Sequence, residues 1–473
     1  MSDTNLNIAI VGAGPGGYAA AFLATDLGMS VTLIDPEVNP GGVCLYRGCI
    51  PSKALLHVAE LIEESEQAKN WGIEFTAPKI DLAKLRSWKE GVVKKLTGGL
   101  GVLSKQRKVH YVQGRAGFEN SNTLRVTKSD GSTENLTFDR IILATGSRPA
   151  IVPTLKLDTP RMMDSTGALN LEDIPATLLV IGGGYIGLEL GSVYAALGTK
   201  VTVVEMLSGL LPGADRDLVL PLHKRLEKLF DGIQLNTTVA SVKDEGNGIR
   251  ATLKAQDGST QEKLFDRVLV SVGRKPNSEI PGLEKTGVKV GDRGFIHANK
   301  QLQTDDPAIY AIGDVIGEPM LAHKAMHEGR TAVEAIAGHK VAFEPNAIPA
   351  VVFTDPEVAW AGLTETQAQK ENREVKVAKF PWAASGRAVT LDRPEGMTKI
   401  IFDPHSERVL GVGIVGVNAG EMIAEGVLAI EMAALARDVA MTIHPHPTLS
   451  ETVMNAAEIF FGTATDIYRP KRA

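Results

Sequence analysis

The hydrophobic pattern near the start of the chain predicts a strand, a glycine-rich turn, a helix and a second strand. The apolar run Ile8–Val11 leads into a G-A-G-P-G-G turn at residues 12–17, a helical segment to Leu27, and the apolar run Val31–Ile34. Short apolar runs separated by a helical segment are typical of parallel strands that are buried on both faces. The second run ends at Asp35. We therefore predict a βαβ unit that closes on a carboxylate.

The same pattern returns in the middle of the chain. The apolar run Leu178–Ile181 leads into a G-G-G-Y-I-G turn at residues 182–187, a helical segment to about Leu197, and the run Val201–Val204, which ends at Glu205. In both copies the carboxylate follows the first glycine of the turn by 23 residues. Two such units in one chain indicate a duplicated nucleotide-binding fold rather than a short-period repeat array.

Other apolar runs complete the outline. Three of them end in small or polar residues, at Ala144-Thr145-Gly146-Ser147, at Gly273 and at Gly313-Asp314. Beyond about Ala347 the pattern changes to short apolar segments followed by helical ones, at 350–353, 375–380, 398–402 and 409–417. Strands followed by helices favour an α+β domain. We predict an α/β protein with two Rossmann-like dinucleotide-binding domains and a C-terminal α+β domain.

Length, composition and charge are those of an ordinary soluble enzyme. A chain of 473 residues corresponds to about three domains, and 44% hydrophobic with 22% charged residues is a common balance. The net charge of -6 gives no reason to expect nucleic acid or an anionic membrane as a partner. No apolar run reaches the ~18 residues of a membrane span, and the N-terminus lacks signal-peptide and transit-peptide features. We therefore expect a cytoplasmic protein.

Cys44 and Cys49 are the only cysteines of the chain. In a regular α-helix a five-residue step rises about 7.5 Å, which exceeds the ~4.4–6.8 Å between the Cα atoms of a disulfide. A disulfide here needs irregular backbone, which the neighbouring glycines permit. The alternatives are two buried small hydrophobic residues or half of a metal site, but the nearest histidine, His57, is a lone one and we expect no metal. Because cytosolic cysteine pairs are more often catalytic than structural, we predict a redox disulfide.

Both glycine turns have the context of a dinucleotide site, since each follows a strand, precedes a helix and is followed by a carboxylate. The glycines let the backbone approach a pyrophosphate, and the helix N-terminus supplies oriented N–H groups. Asp35 and Glu205 would accept hydrogen bonds from ribose hydroxyls. Glu205 would also repel a 2′-phosphate, and residues 206–209 include no arginine, which favours NAD over NADP. The alternative is a pair of turns that only pack helix on sheet.

A second group of reactive side chains lies near the C-terminus. The segment H-P-H-P-T-L-S-E at 444–451 precedes a helical stretch at 452–461. Pro447 suits the first helical position, which would place His446 at the helix entry and Glu451 about one turn in. A carboxylate there can hold an imidazole in one tautomer and stabilise its cation. Such a pair can also be a cap, but dithiol chemistry needs a base, so we interpret His446 and Glu451 as an acid–base pair and His444 as structural.

Taken together, these motifs resemble the pyridine nucleotide–disulfide oxidoreductases, and within that family the members that oxidise dihydrolipoamide in 2-oxo acid dehydrogenase complexes. The resemblance spans nearly the whole chain. It is carried by the first glycine turn, the run from Gly41 through Cys44 and Cys49 to Lys53, Ala144-Thr145-Gly146, the second glycine turn with Glu189 and Glu205, Ala311–Asp314, Met320-Leu321-Ala322-His323, and His446-Pro447-Thr448 with Glu451.

The resemblance implies two cofactors, FAD and NAD, and assigns residues to each. Asp35 would contact the adenosine ribose of FAD, Asp314 its ribityl chain, and Lys53 and Glu189 would form an ion pair beside the isoalloxazine. The implied FAD contacts are Gly12, Gly14, Gly17, Asp35, Lys53, Gly117, Thr145, Gly146, Ser147, Asp314 and Ala322. The implied NAD contacts are Gly182, Gly184, Gly187, Glu189, Glu205 and Gly273.

The resemblance also implies the catalytic roles and the assembly. Cys49 would be the thiol next to the flavin, Cys44 the one that exchanges with substrate, and His446 with Glu451 the acid–base pair, reached from the other subunit of a homodimer. The expected partners are the lipoyl domain and the peripheral-subunit-binding domain of an E2 acyltransferase. The predicted domains are 1–150 (FAD), 151–275 (NAD), 276–346 (a central domain completing the FAD site) and 347–473 (the dimerisation interface).

The chain departs from the family pattern at a few positions. Asp35 stands where a longer Glu is usual, Tyr46-Arg47 replaces a smaller pair between the cysteines, and Pro445 separates the two histidines in place of Ala. Two alternative functions remain open. One is a related reductase that acts on another disulfide, such as oxidised glutathione. Glutathione reductase, however, has arginines in the first helix where this chain has Phe22-Leu23. The other is a mainly structural docking subunit of the complex.

Overall fold

A computed structural model describes residues 6–468 of the chain. Its N-terminal part combines parallel strands with covering helices. The strands are β1 (Asn7–Val11), β2 (Ser30–Asp35), β3 (His110–Asn120), β4 (Thr123–Lys128), β5 (Thr133–Thr137), β6 (Arg140–Leu143) and β7 (Ser147–Pro149). The helices are α1 (Pro15–Asp26), α2 (Gly42–Arg47), α3 (Cys49–Gln67) and α4 (Leu82–Gln106).

The middle of the chain repeats this arrangement. Its strands are β8 (Met162–Met163), β9 (Thr177–Ile181), β10 (Lys200–Val204), β11 (Gly232–Gln234), β12 (Thr237–Asp244), β13 (Ile249–Ala255), β14 (Thr260–Phe265), β15 (Arg267–Val270), β16 (Arg274–Pro276) and β17 (Ile309–Ala311). Its helices are α5 (Ser165–Asn170), α6 (Tyr185–Ala196), α7 (Arg216–Leu229) and α8 (Ala322–Ile336).

The C-terminal part contains five strands, β18 (Ala350–Val352), β19 (Glu357–Gly362), β20 (Lys376–Pro381), β21 (Met397–Phe402) and β22 (Val409–Gly416). Its helices are α9 (Glu365–Lys370), α10 (Gly386–Thr390), α11 (Ala419–Glu431), α12 (Ala436–Met441) and α13 (Glu451–Phe461). The strands form one sheet in the order β18-β19-β22-β21-β20, and its pairings are antiparallel. Helices α11 and α13 pack against it, which is the predicted α+β arrangement.

The first sheet has the order β17-β6-β1-β2-β3-β4-β5. Strand β1 lies near its middle, paired in parallel with β2 and β6. Ile8, Ala9 and Ile10 have no exposed surface. The apolar run at 8–11 is therefore a central strand buried on both faces, as the absence of polar alternation indicates.

The second sheet has the order β11-β10-β9-β15-β8, and β9 pairs in parallel with β10 and β15. A small antiparallel sheet, β12-β13-β14, follows β11 in the chain. Strands β16 and β7 pair antiparallel and so join the first and second sheets. The two predicted βαβ units thus lie on separate parallel sheets within one chain.

The predicted central segment, 276–346, does not form a sheet of its own. It contributes β17 to the edge of the first sheet, beside β6, and α8, which packs on α1. Close packing is possible because small residues face each other, and a Cβ on Gly329 would lie 2.6 Å from the Gly16 carbonyl oxygen. The chain therefore returns to its N-terminal part after the second sheet. The boundaries between the four predicted domains remain predictions.

The predicted helical stretch at 452–461 agrees with α13 within one residue, but the placement of Pro447 at the first helical position is wrong. Helix α13 begins at Glu451, and Pro447 lies in the preceding loop rather than at the first helical position. The loop has side-chain hydrogen bonds of its own, from Thr448 Oγ1 to the Pro445 carbonyl oxygen at 2.7 Å and between the hydroxyls of Thr448 and Ser450 at 2.8 Å. Local side-chain bonds of this kind compete with helix formation.

A cluster of charges around the buried Lys399 ammonium group connects α7 to the C-terminal domain. Asp215 and Asp217 lie at the start of α7, and Glu365 begins α9. These carboxylates have the spacing of metal ligands, but Lys399 Nζ from β21 lies 2.7, 2.7 and 2.9 Å from their oxygens. Lys379 pairs with Asp217 and Glu365 as well. The Lys399 ammonium group therefore occupies the centre of the cluster. We call this cluster the Lys399 joint, because its ion pairs link α7 to the C-terminal domain.

Candidate active site and nucleotide sites

The carboxyl ends of the central strands of the first sheet open into a cavity of about 710 Å³. This is the size range of cofactor and ligand pockets. It contains both cysteines and most of the residues that the sequence assigns to FAD. Among its lining residues are Gly12, Gly14, Asp35, Cys44, Cys49, Lys53, Thr145, Gly146, Ser147, Glu189, Asp314 and Ala322. The structure thus brings together residues from six separate sequence motifs.

The first glycine turn fits a phosphate group. Gly12 has a φ of +101°, and a Cβ there would lie 2.3 Å from the Ala144 carbonyl oxygen, so only glycine is accommodated. Helix α1 begins after Gly14 without any side chain capping its N-terminus. Because Gly14, Pro15 and Gly16 line the cavity, this uncapped helix N-terminus lies at the cavity wall, where its N–H groups can bind an anion.

Asp35 holds this turn from the end of β2. Its two carboxylate oxygens accept hydrogen bonds from the backbone N–H of Ala13 at 2.7 Å and of Glu37 at 2.9 Å. Burial raises the pKa of Asp35 and these backbone hydrogen bonds lower it, with burial the larger effect. The carboxylate keeps lone pairs for a ribose hydroxyl, and it also fixes the backbone of the turn, a role that the motif alone does not reveal.

The second glycine turn repeats this construction. Gly182 has a φ of +107°, and a Cβ there would lie 2.6 Å from the Ser271 carbonyl oxygen. Glu205 accepts hydrogen bonds from the backbone N–H of Gly183 at 2.7 Å and of Leu207 at 2.8 Å. Helix α6 begins after Gly184, again without a side-chain cap. The two units therefore share a chemical arrangement as well as a sequence pattern.

In the described loop from Glu205 to α7, the first basic side chain is Arg216. Met206 and Leu207 are exposed apolar side chains. The nearest arginine in sequence, Arg216, donates to the carbonyl oxygens of residues 210, 211 and 214 at 2.5–2.6 Å. Its guanidinium therefore already holds the loop that precedes α7.

Several predicted glycine contacts lie outside the cavity. Gly17 and Gly187 pack their helices against the backbone of the preceding turns, and Gly273 has a φ of +128° between β15 and β16. Gly117 faces Pro281, whereas its neighbours Gly114, Arg115 and Ala116 line the cavity. The spacing along β3 could not show which of these residues faces the cavity, because β3 is irregular near residue 118.

The two cysteines lie on consecutive helices. Helix α2 carries Cys44 and ends at Arg47; Gly48 breaks the backbone with φ −145° and ψ −117°, and α3 starts at Cys49. This break is the irregularity that a disulfide at this spacing requires. Tyr46 donates from its hydroxyl to the Asn39 carbonyl oxygen at 3.0 Å. Arg47 pairs with Glu37. Both residues that depart from the family pattern between the cysteines are therefore held by side-chain contacts.

The thiols differ in their readiness to ionise. A hydrogen bond from Cys44, together with the charge of Lys53, lowers the pKa of Cys49 to about 7 although burial opposes it. The same hydrogen bond raises the pKa of Cys44, and burial raises it further. Cys49 also occupies the N-terminus of α3, where an anion is favoured. Cys49 is therefore the thiolate of the pair and Cys44 the neutral thiol.

Lys53 is held beside the cysteines by Glu189. Lys53 Nζ lies 2.7 Å from Glu189 Oε2, and the Ser52 hydroxyl donates to the same oxygen at 3.1 Å. The backbone N–H of Phe353 donates to Glu189 Oε1 at 3.0 Å, and the Phe353 ring lies 4.3 Å from Lys53 Nζ. Residues from three parts of the chain thus meet at one buried carboxylate.

Asp314 belongs to a second polar chain that the sequence did not predict. Ser147 donates from its hydroxyl to Asp314 Oδ2, and Arg274 donates to the Ser147 hydroxyl at 2.7 Å and to its carbonyl oxygen at 2.8 Å. Arg274 lies just beyond the second sheet. These hydrogen bonds between side chains therefore connect the two nucleotide regions.

His446 and Glu451 form the predicted pair. His446 Nδ1 lies 2.9 Å from Glu451 Oε1, and the backbone N–H of Thr448 donates to Glu451 Oε2 at 2.8 Å. Burial raises the pKa of Glu451, but the hydrogen bonds from Thr448 and His446 outweigh it and the pKa is lowered. The imidazole is 78% exposed and does not line the cavity of its own chain. Its free nitrogen, Nε2, is thus available to a group outside this chain.

Among residues 6–468, no helix is both long and apolar enough to cross a membrane.

The two glycine turns, the thiol pair and the C-terminal sheet agree with known family patterns. Residues 6–329 match the family described as pyridine nucleotide-disulphide oxidoreductase, and residues 348–457 match the dimerisation domain of that family. The chain belongs to the pyridine nucleotide-disulphide oxidoreductases. Its cofactors are FAD and NAD(H), and it is a homodimer.

Individual relatives indicate which members of the family this chain is similar to in sequence and structure. Dihydrolipoyl dehydrogenase of Haemophilus influenzae is 50% identical over 469 residues, which are 99% of this chain and 98% of that protein. The enzyme of the same name from Geobacillus stearothermophilus is 47% identical over 458 residues, 97% of each chain. Among solved structures, LpdA from Mycobacterium tuberculosis has a TM-score of 0.89 at 27% identity, covering 96% of this chain and 99% of that one.

Proposed function

We propose that this protein oxidises protein-bound dihydrolipoamide to lipoamide while reducing NAD⁺ to NADH. The observation that carries the proposal is the thiol pair that lines the cavity together with Lys53, where Lys53 and the hydrogen bond from Cys44 lower the pKa of Cys49. The relatives named dihydrolipoyl dehydrogenase support the choice of substrate. The reaction balances as dihydrolipoamide plus NAD⁺ giving lipoamide, NADH and one proton.

The chain's own residues would handle thiols and protons. A substrate thiol loses its proton to Nε2 of the partner subunit's His446 and attacks the Sγ of Cys44 in the oxidised disulfide, because the thiolate is the nucleophile. Cys49 leaves as a thiolate, which Lys53 stabilises. The second substrate thiol then displaces Cys44 and closes the lipoamide disulfide. FAD supplies the transfer of the two electrons between the cysteine pair and the nicotinamide.

Nucleotide choice would rest on Glu205. Its carboxylate accepts from the ribose hydroxyls and repels a 2′-phosphate, and Arg216 is occupied by backbone carbonyls. The proposal includes the FAD and NAD contacts and the domain boundaries given above. It also includes cytoplasmic localisation.

The partners would be the E2 acyltransferase of a 2-oxo acid dehydrogenase complex, through its lipoyl and peripheral-subunit-binding domains. The alternative of a purely structural docking subunit is less favoured, since docking alone would require neither an activated thiol nor two nucleotide turns. A glutathione-type reductase is less favoured as well. Phe22 stands in the first helix, and the nearby Arg107 lies over its ring at 5.0 Å and pairs with Asp26 at 3.1 Å.

The test compares two assays on the purified holoenzyme. NAD⁺ reduction with dihydrolipoamide should be fast, and NADPH oxidation with oxidised glutathione should be at background. The reverse ranking would favour the glutathione-type function. Activity in neither assay, with FAD bound, would contradict the enzymatic proposal and leave the docking function.

A further inference from the structure

His444 lies two residues before His446, yet the two histidines differ sharply in their surroundings. The His444 side chain is only 5% exposed, whereas that of His446 is 78% exposed. His444 Nε2 lies 2.8 Å from Glu425 Oε1 on α11, and its Nδ1 lies 2.8 Å from the Thr442 carbonyl oxygen. Both ring nitrogens therefore face acceptors.

The tautomer with its proton on Nε2 donates to the Glu425 carboxylate. A hydrogen bond to a carboxylate is about twice as strong as one between neutral groups. The bond to Glu425 joins the middle of α11 to the segment between α12 and α13. Glu451 closes the other end of this segment through Thr448 and His446. His446 thus lies on a short loop fastened on both sides.

We infer that Glu425 and His444 are positioning residues, which fix the loop so that the exposed ring of His446 reaches the substrate thiols. The inference rests on the proposed function. It extends that function by assigning a task to two residues that touch neither substrate nor cofactor in the proposed mechanism. Residues that only position His446 can affect the rate strongly, since a misplacement of about 1 Å at a reacting group can cost about a hundredfold in rate.

The experiment uses the holoenzyme with Glu425→Ala and Glu425→Gln. We expect Glu425→Ala to lower kcat with dihydrolipoamide by about tenfold or more, with KM changed less than twofold. Glu425→Gln keeps an acceptor oxygen at the same reach and should recover most of kcat. His444→Gln, which removes the ring, should resemble Glu425→Ala. Glu421→Ala is the matched control, an exposed glutamate one turn earlier on α11, and it should behave as wild type.

A second assay separates positioning from general damage. Oxidation of NADH by ferricyanide requires no thiol proton transfer, so it should be unchanged in all four variants. Glu425→Ala with kcat within twofold of wild type, or with equal losses in both assays, would overturn the inference. Absence of dihydrolipoamide activity in the wild-type protein would instead contradict the proposed function.

Discussion

At the scale of single residues, the cavity makes two chemically identical side chains different. Cys44 and Cys49 share one hydrogen bond, and that bond favours the thiolate on Cys49 and the neutral thiol on Cys44. Lys53 reinforces the difference, and Glu189 keeps Lys53 in place. The difference between the two thiols, which at the level of sequence rested only on a resemblance, thus has a physical basis in the fold.

The first prediction concerns this difference. In the two-electron-reduced holoenzyme, alkylation of Cys49 by iodoacetamide should reach half its maximal rate near pH 7, since the thiolate is the reactive form and the pKa is about 7. Cys44→Ala removes the hydrogen bond and should move this midpoint to higher pH. Lys53→Met should move it in the same direction. Peptide mass spectrometry would locate the label, and a midpoint that is unchanged in both variants would contradict the assignment.

The second prediction concerns the nucleotide. We expect kcat/KM to favour NADH over NADPH by at least ~100-fold, or about 2.7 kcal/mol, the scale of one lost charge-assisted hydrogen bond plus repulsion. Steady-state rates with both nucleotides provide the measurement. Glu205→Gln removes the charge and should reduce the ratio mainly by improving the use of NADPH. Similar values for both nucleotides in the wild-type protein would refute this reading of Glu205.

At the scale of elements, the joint around Lys399 connects α7 with β20, β21 and α9. Removing one partner of a buried ion pair costs about 3–5 kcal/mol, because the other charge stays buried, as the Asp215 carboxylate would be here. As a third prediction, Lys399→Met should lower the free energy of unfolding by about that amount in urea titrations. The control is Lys300→Met, whose pair with Glu344 is exposed and should contribute no more than about 1 kcal/mol. Equal losses of unfolding free energy in the two variants would contradict the prediction that burial makes the Lys399 ion pairs the more stabilising ones.

The same joint gives a fourth prediction, on pH. Burial raises the pKa of Asp215, but hydrogen bonds from Lys399 and Thr366 outweigh it and bring the pKa to about 2, against 3.8 in an unfolded chain. A depressed carboxyl pKa stabilises the fold above about pH 4, and the stabilisation, roughly 2 kcal/mol, is lost as the pH falls towards 2. The stability difference between wild type and Asp215→Asn should therefore shrink across this range, and a constant difference would contradict the prediction.

Elements with a strong local signal could be predicted from the sequence. Both βαβ units, their glycine turns and the closing carboxylates follow the hydrophobic pattern, and the strand ends agree within about one residue. That Pro447 lies outside α13 could not be predicted, because Thr448, Ser450 and Glu451 form side-chain hydrogen bonds in the loop before the helix. The Lys399 joint and the hydrogen-bonded series from Arg274 through Ser147 to Asp314 were also missed. Each depends on contacts between residues more than a hundred positions apart, such as Lys399 with Asp215 and Arg274 with Ser147.

At the scale of the whole molecule, one chain provides the thiol pair but leaves His446 outside its cavity. A two-fold dimer has a self-complementary interface, so each subunit could offer its His446 to the other. The fifth prediction follows from this exchange. Mixing Cys49→Ser with His446→Gln under conditions that scramble subunits should yield half hybrids, each with one repaired site, and therefore about a quarter of wild-type activity.

If the base and the thiols belonged to one chain, no hybrid would be repaired and the mixture would stay inactive. A parallel mixture of each variant with itself controls for recovery during exchange. FAD content before and after mixing would show that the subunits remain loaded.

The backbone hydrogen bonds of Glu205 have a consequence for the evolution and engineering of cofactor preference. The carboxylate that we propose selects the nucleotide also accepts hydrogen bonds from the N–H groups of Gly183 and Leu207. A substitution that admits NADPH by removing this side chain also leaves two backbone donors to find new acceptors. A successful switch would therefore require a compensating change within the same loop, so that at this position selectivity and local stability are inherited together.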